Sequence, residues 1–396
     1  MPRPDSLCGG DDLLITNATV WPSPDADSVP GCAVVIRDGV VESISPRSEP
    51  DSGPSDLPVW DAAGRVVTAG FWNCHVHFSE KVWAAAGRAR APRLQSALDE
   101  MLVTRGFTTV IDLASNSRDT LALIQRLESG ELMGPTILTA TEAIHPSRGL
   151  PFYTRESVPW FFWWAIPTPW TRGGARRAAS RQLRKGAHVI KLFTGSYVTR
   201  DRIKPMDVRL AGAAVDVAHE HGRLVFAHTS NATGLRVALD AGVDVIAHVP
   251  DVTAGTASML RDAADRGVLL VPTLQMFAET VTTSPSYLDP IDDALRCFLD
   301  AGGQILFGTD VGYLREYDII GELQALARCG LDSPSILRSL TTTPAAALGR
   351  SDLGTVSPGM TADLTVLATR DPQVAPEDLG RVAAVVKSGR LIHSTA

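Results

Sequence analysis

Short apolar runs rich in β-branched residues recur along this chain, and Ala-rich stretches with helical spacing lie between most of them. Before residue 67 the pattern is strand and turn only. Leu13 to Val20 and Ala33 to Val41 are β-rich, and Asp38-Gly39 breaks the second run as a hairpin turn. Pro, Ser and Asp cluster at 22–30 and 45–57, which predicts loops.

From Val67 the pattern changes. Val67-Thr68-Ala69-Gly70-Phe71-Trp72-Asn73-Cys74-His75-Val76-His77-Phe78 begins as a buried strand and ends in His-x-His. Further strands are predicted at Thr108–Leu113, Thr136–Ala140, His188–Phe193, Leu224–His228, Asp244–His248, Val268–Pro272 and Gln304–Asp310. Helical stretches such as Val208–Glu220 and Leu235–Ala241 separate them. Eight β/α units are the count of a closed parallel barrel, with a doubly wound open sheet as the alternative. Ser333 to Leu348 reads as helical, with a break near Pro344. Strand patterns return at Ala362–Leu367 and Val382–Ile392. Such short strands at the two chain ends lack a core of their own and are expected to pair. The predicted architecture is α/β: a (β/α)8 TIM barrel over 67–349, with a small β-sandwich domain built from both ends, 1–66 and 350–396.

Composition narrows the function. The chain has 396 residues, 44% hydrophobic and 20% charged, an ordinary profile for a globular protein with a large core. Its net charge of −7 argues against nucleic acid or an anionic membrane as partner. The amino terminus shows no apolar core of a signal peptide, and no apolar run is long enough to span a bilayer. The 5 cysteines are scattered with no Cys-x-x-Cys, which fits a reducing cytoplasm.

Candidate chemistry sits at the strand ends. On a strand, His75 and His77 point the same way, with Asn73 behind them. Imidazoles about 7 Å apart along a strand can close on one metal ion. His75, His77, Lys191, His228, His248 and Asp310 all fall at or near carboxyl ends of predicted strands, which in a β/α barrel meet at one face. Neutral imidazoles and a carboxylate suit Zn²⁺, and also Mn²⁺, Fe²⁺ or Co²⁺, at one or two ions per chain.

With these residues the chain resembles the amidohydrolase superfamily of metal-dependent hydrolases, most of all its imidazolonepropionase-like and prolidase-like members. The likeness covers nearly the whole chain, including Val67-Thr68-Ala69-Gly70-Phe71 before His-x-His, Thr341 to Gly349, and Ser357-Pro358-Gly359-Met360-Thr361-Ala362-Asp363-Leu364. The resemblance implies that His75 and His77 hold the more buried metal and that His228 and His248 hold a second. It implies that Lys191 is carbamylated and bridges the two, and that Asp310 ligates the buried metal and shuttles the proton. An unmodified Lys191 contacting substrate or a carboxylate is the alternative, with a single metal on His75, His77, His228 and Asp310. The implied reaction is hydrolysis of an amide, lactam or peptide-like carbon–nitrogen bond in a small molecule. Deaminases of the superfamily carry a Glu three residues after the strand-five histidine; here that position is Asn231. A lyase or isomerase on the same site, or a non-catalytic scaffold, are the other readings.

Weaker candidates line the expected pocket. His145 and Arg148 follow the third strand and could bind a substrate carbonyl or carboxylate. Ser196, Tyr197 and Gln275 follow the fourth and seventh strands. His188, His219 and His221 read as structural, the last two as solvated or capping a helix end. The long segment 159–170 contains Trp160, Trp163, Trp164 and Trp170, half of the 8 tryptophans. It could be a lid placing Trp163 and Trp164 against a bulky or aromatic substrate, an oligomer contact, or a peripheral membrane contact. The expected partners are a small-molecule substrate and other copies of the chain.

Overall fold

The computed structural model describes residues 10–46, 56–280 and 285–395. Cys8, the amino-terminal residues 1–6 and most of the loop predicted at 45–57 lie outside the described residues. The described cysteines are all free.

Strands from both chain ends share one mixed eight-stranded sheet. Leu13–Val20 pairs antiparallel with Val29–Arg37, which turns through Asp38-Gly39 into Val40–Pro46. At the other end Leu364–Leu367, Val382–Lys387 and Arg390–Ser394 form a meander. Val66–Ala69 joins the two groups, parallel to the first strand and antiparallel to Leu364–Leu367. The run read from sequence as one strand from Val67 is therefore two strands in two different sheets. They part at Gly70, where a side chain would collide with Thr108: an added Cβ would sit 2.2 Å from its hydroxyl oxygen.

The middle of the chain folds into parallel strands and helices. Phe71–Val76, Phe107–Asp112 and Thr136–Thr139 form one parallel sheet. Ala143–Ile144, Ile190–Phe193, Val225–His228, Val245–Ala247 and Leu269–Val271 form a second. These strands are almost wholly buried and read as continuous apolar runs, as expected where both faces are covered. At one seam the His188 N–H donates to the Thr139 carbonyl at 2.8 Å. At the other lies 304–311, which sequence predicts as a strand. The chain there is extended, but regular pairing is absent, with isolated bridges Leu270–Ile305 and Val76–Val311. The Phe307 carbonyl accepts from Cys74, while its N–H goes instead to Ser339 on a following helix. Splitting its bonds between a strand and a helix keeps this segment from forming a regular ladder.

Val208–Glu220 is a helix over the predicted residues, capped by Asp207, whose carboxylate accepts from the Arg209 N–H. Its face of Leu210, Ala211, Ala214, Val215 and Ala218 is buried. The helical stretch after Ser333 breaks at Thr341, earlier than predicted. Pro344 sits in the first turn of the second helix, where the missing N–H costs nothing. Sequence reading overlooked the hairpin Gly195–Thr199 with Arg202–Pro205. No described helix is long and apolar enough to cross a membrane.

Candidate metal centre

The carboxyl ends of the parallel strands converge on Asp310. Its Oδ1 lies 3.1 Å from His77 Nε2 and 3.5 Å from His75 Nε2, and its Oδ2 lies 3.8 Å from His248 Nε2. One ligand atom each from His75, His248 and Asp310 falls within a mutual 4.8 Å, and all three residues are buried. The backbone turns sharply here: Ala114, Thr141, Ser230, His248 and Thr273, just past five strand ends, and Asp310 in the segment 304–311 are in the left-handed region. That conformation is costly for residues other than glycine and collects at functional sites. Gly312 closes the same mouth at φ +95, where an added Cβ would lie 1.7 Å from the His77 carbonyl oxygen.

Hydrogen bonds fix what the ligand atoms present. His77 Nδ1 lies 2.9 Å from the Ala114 carbonyl, which can only accept, so this nitrogen carries the proton. In the neutral ring Nε2 is then a lone pair, facing a carboxylate oxygen 3.1 Å away. Asp310 Oδ1 is buried and has no aligned hydrogen bond. Two acceptors this close require a cation between them, either a proton or a metal ion. Burial opposes protonation of His77, yet the Asp310 and Asp112 carboxylates outweigh it and raise its pKa. His75, His228 and His248 go the other way: burial, then Lys191 and the neighbouring imidazoles, hold them well below the ordinary value and therefore neutral. Neutral imidazoles facing a carboxylate are the donor set a divalent transition metal takes, so the residues fit such an ion.

The other predicted residues sort by place. Lys191 is buried, and burial pulls its pKa down to about 7. Among the described residues its Nζ makes no hydrogen bond or ion pair, and it lies 5.7 Å from the Phe193 ring centroid. His228 stacks on Phe193 at 4.7 Å, and His145 stacks on the same ring at 4.5 Å. His248 lies between the two groups, 4.4 Å from His75 and 4.9 Å from His228 by ring centroid. His145 is buried with Nδ1 unpartnered, and burial depresses its pKa to about 3. Arg148 is exposed and lies over the Trp170 ring. Gln275 spends its amide oxygen on the Glu322 N–H and its amide nitrogen on Glu279. Tyr197 donates to Asp251, and Ser196 to the Gly149 carbonyl. Trp163 is half-buried and donates to the Val158 carbonyl, while Trp164 is 84% and Trp160 75% exposed. His219, expected to be solvated or capping, pairs with Asp244 at 3.0 Å. His221 accepts the capping reading, with Nδ1 on the Val217 carbonyl. Asn231 caps its own helix by accepting from Gly234.

Sequence reading placed Asn73 behind the two histidines but gave no role to it or to Asp112, Thr273 and Asp251. Asn73 donates to the Thr309 hydroxyl at 2.8 Å and accepts from the His75 N–H, pinning the first strand to the Asp310 segment. Asp112 is fully buried under His77 and accepts from Thr139 and Ser115. Its place at a strand end was a usable signal. Thr273 and Asp251 lie beyond strand ends, where spacing carries no mark.

The Amidohydrolase family profile matches residues 66–392. An uncharacterised protein of Mycobacterium tuberculosis (strain ATCC 25618 / H37Rv) is 28% identical over 230 residues, 54% of this chain and 60% of that protein. The chain thus spans about 60% of the length of the first curated relatives it matches. The imidazolonepropionase of Symbiobacterium thermophilum is 24% identical over 93% of this chain and 91% of its own. A crystal structure of a Xaa-Pro dipeptidase with bound methionine in the active site superposes with a TM-score of 0.80 at 22% identity, over 97% of this chain and all (100%) of that one. The fold is accordingly α/β and TIM-barrel-like with mixed sheets. On the match over 66–392, the chain belongs to the amidohydrolase family.

Proposed function

We propose that the chain is a metal-dependent amidohydrolase that cleaves an amide, lactam or peptide-like carbon–nitrogen bond of a small molecule. The observation that carries this reading is the convergence of His75, His248 and Asp310 donor atoms within 4.8 Å, with His77 against the same carboxylate. In this reading His75, His77 and Asp310 hold one Zn²⁺ ion, or Mn²⁺, Fe²⁺ or Co²⁺ in its place. His248 and His228 serve a second ion, and a carbamylated Lys191 bridges the two. His248 lies close enough to His75 and Asp310 to serve the first ion where only one is bound.

A divalent cation at this place supplies a Lewis acid that polarises a carbonyl oxygen and makes water acidic near neutral pH. The protein does the rest. Asp310 accepts the proton of the attacking water and returns it to the leaving nitrogen. His145, neutral and buried beside Phe193, offers its unpartnered Nδ1 to a polar group of the substrate. The deaminase alternative is weakened because Asn231, at the position of the expected Glu, is spent capping a helix.

The reading extends to architecture and setting. The two parallel sheets, with Thr136–Thr139 and Ala143–Ile144 taken as one interrupted strand, and the extended segment 304–311 form one eight-stranded barrel within 67–349 whose first strand starts at Phe71, supported by hydrogen bonds at both seams. The sheet of the two chain ends, 1–66 and 350–396 extended through Ala69, wraps its apolar cluster as a small sandwich domain, supported by the packing of Ile15, Val34, Val67, Leu364 and Val386 in one core. The enzyme works in the cytoplasm as a homo-oligomer, with the exposed Trp160 and Trp164 as contact or lid. The test is elemental analysis of the purified protein together with hydrolysis of a panel of N-acyl amino acids, dipeptides and lactams. One or two metal ions per chain and loss of turnover on chelation are expected. A metal-free protein that still hydrolyses the panel in a strong chelator would overturn the mechanism.

A further inference from the structure

Beside the metal centre lies a second group that the hydrolytic chemistry does not use. Asp251 follows His248 by three residues, on a loop tied to the neighbouring one by the Val252 N–H to Ser230 carbonyl bond. Its Oδ2 accepts from the Tyr197 hydroxyl at 2.5 Å. Tyr197 stands on the hairpin strand Gly195–Thr199. The helix Phe152–Ser157 is fastened to that strand by Arg155, which donates to the Val198 carbonyl. This helix carries Tyr153, whose ring meets Tyr313 at 5.9 Å, and Tyr313 follows Asp310 by three residues. Tyr153 is thus within electrostatic reach of both the Asp251 and the Asp310 carboxylates.

Among the described residues no Lys, Arg or His lies within ion-pair distance of Asp251. Of the basic side chains on this helix and hairpin, Arg155 is held by a carbonyl and Arg200 lies over the Phe152 ring. A half-buried carboxylate without a countercharge is costly, and burial pushes its pKa up to about 6. Burial and the Asp251 charge together push the Tyr287 hydroxyl up to about 12, and Tyr153 is raised by burial, Tyr313, Asp310 and Asp251. These hydroxyls are therefore neutral phenols within electrostatic reach of the carboxylate. A carboxylate with no countercharge, held by a phenol beside other tyrosines, is the complement of an organic cation.

We propose that Asp251, held by Tyr197 beside the Tyr153–Tyr313 pair, is a cation-accepting subsite, and that the substrate carries an alkylammonium or guanidinium group. The inference rests on the metal-centre reading above, since the subsite is placed relative to the bond cleaved there.

The experiment separates the two. Zinc-loaded protein is titrated calorimetrically at pH 8, where Asp251 is ionised, with two pairs of hydroxamates. 4-Aminobutanohydroxamate is compared with pentanohydroxamate and 6-aminohexanohydroxamate with heptanohydroxamate, each pair differing by ammonium against methyl. At one length or both, the amino member is expected to bind roughly tenfold tighter or better, the worth of a charge-assisted contact. Asp251→Asn, which can still accept from Tyr197, should bring that ratio to about one while the neutral member binds as before. Retained metal and hydroxamate binding with no preference at either length, or a preference that survives Asp251→Asn, overturns the subsite and leaves the metal centre standing. Protein that takes up no metal by elemental analysis overturns the metal centre, and the subsite with it.

Discussion

The Thr273 hydroxyl lies 2.6 Å from His248 Nδ1 and donates to the Pro272 carbonyl at 2.8 Å. A hydroxyl has one hydrogen, so Thr273 must accept from His248, and Nδ1 carries the proton. His248 then turns a lone pair at Nε2 toward Asp310, as a metal ligand must. Thr273→Val keeps the branched shape but removes this acceptor. We expect metal affinity to fall by roughly ten- to a hundredfold, with Thr273→Ser close to the parent. Competition against a graded series of chelators measures it. Equal affinity in Val and Ser variants would mean that the hydroxyl does not set the tautomer.

Asp310 is held from both sides, by its N–H to the His75 carbonyl and by Asn73 on the adjacent Thr309. In Asp310→Asn the amide can donate to His77 Nε2, so the site is satisfied without a shared cation. The fold should be unchanged, by circular dichroism and melting. Turnover should fall at least about a thousandfold, because the proton carrier is gone. Activity within about tenfold of the parent would assign that role to another base.

Much of this was legible from the sequence, for identifiable reasons. Parallel strands buried on both faces leave long apolar runs, so Val225–His228 and its neighbours stand out, with Lys191, His228 and His248 in or just past them. The segment 304–311 misled because its composition is strand-like while its bonds are shared with a helix. Gly70 ends one strand and begins the next with no loop between, so the change of sheet leaves no mark in the pattern. Partners set by tertiary approach, such as Thr273 with His248 or Arg148 with Trp170, have no sequence period at all. The aromatic segment was legible as unusual, but only the structure separates anchored Trp163 from exposed Trp160 and Trp164.

Lys191 is suited to carbamylation by its surroundings. Burial lowers its pKa to about 7, so near pH 8 most of it is the neutral amine. A neutral amine adds to CO₂ and releases one proton, giving an anionic carbamate. That anion can lie between two cations where an ammonium cannot. Protein loaded with metal in ¹³C-bicarbonate should show one carbamate carbon resonance per chain, absent from Lys191→Ala. The variant should also lose one metal ion relative to the parent. A parent with two metals and no carbamate signal would show that another group bridges them.

Glu322 gives a pH test away from the centre. It is fully buried and clasps Gln275: its carboxylate accepts the Gln275 N–H at 2.7 Å, and its own N–H donates to the Gln275 side chain. Its Oε1 is unpartnered. Burial raises its pKa from 4.5 to about 7, against the hydrogen bonds that favour the charge. The folded protein therefore binds this proton more tightly than the unfolded chain. The associated stability is fully present below about pH 4.5 and is lost as pH rises through about 7. A shift of that size corresponds to about 3 kcal/mol at most. Glu322→Gln mimics the protonated acid, placing an amide where Oε1 had no partner. Its stability relative to the parent should therefore increase from pH 5 to pH 8, by roughly 1–3 kcal/mol. Urea midpoints of both proteins across that range give the difference directly, and a difference that stays flat would show that Glu322 is ionised throughout.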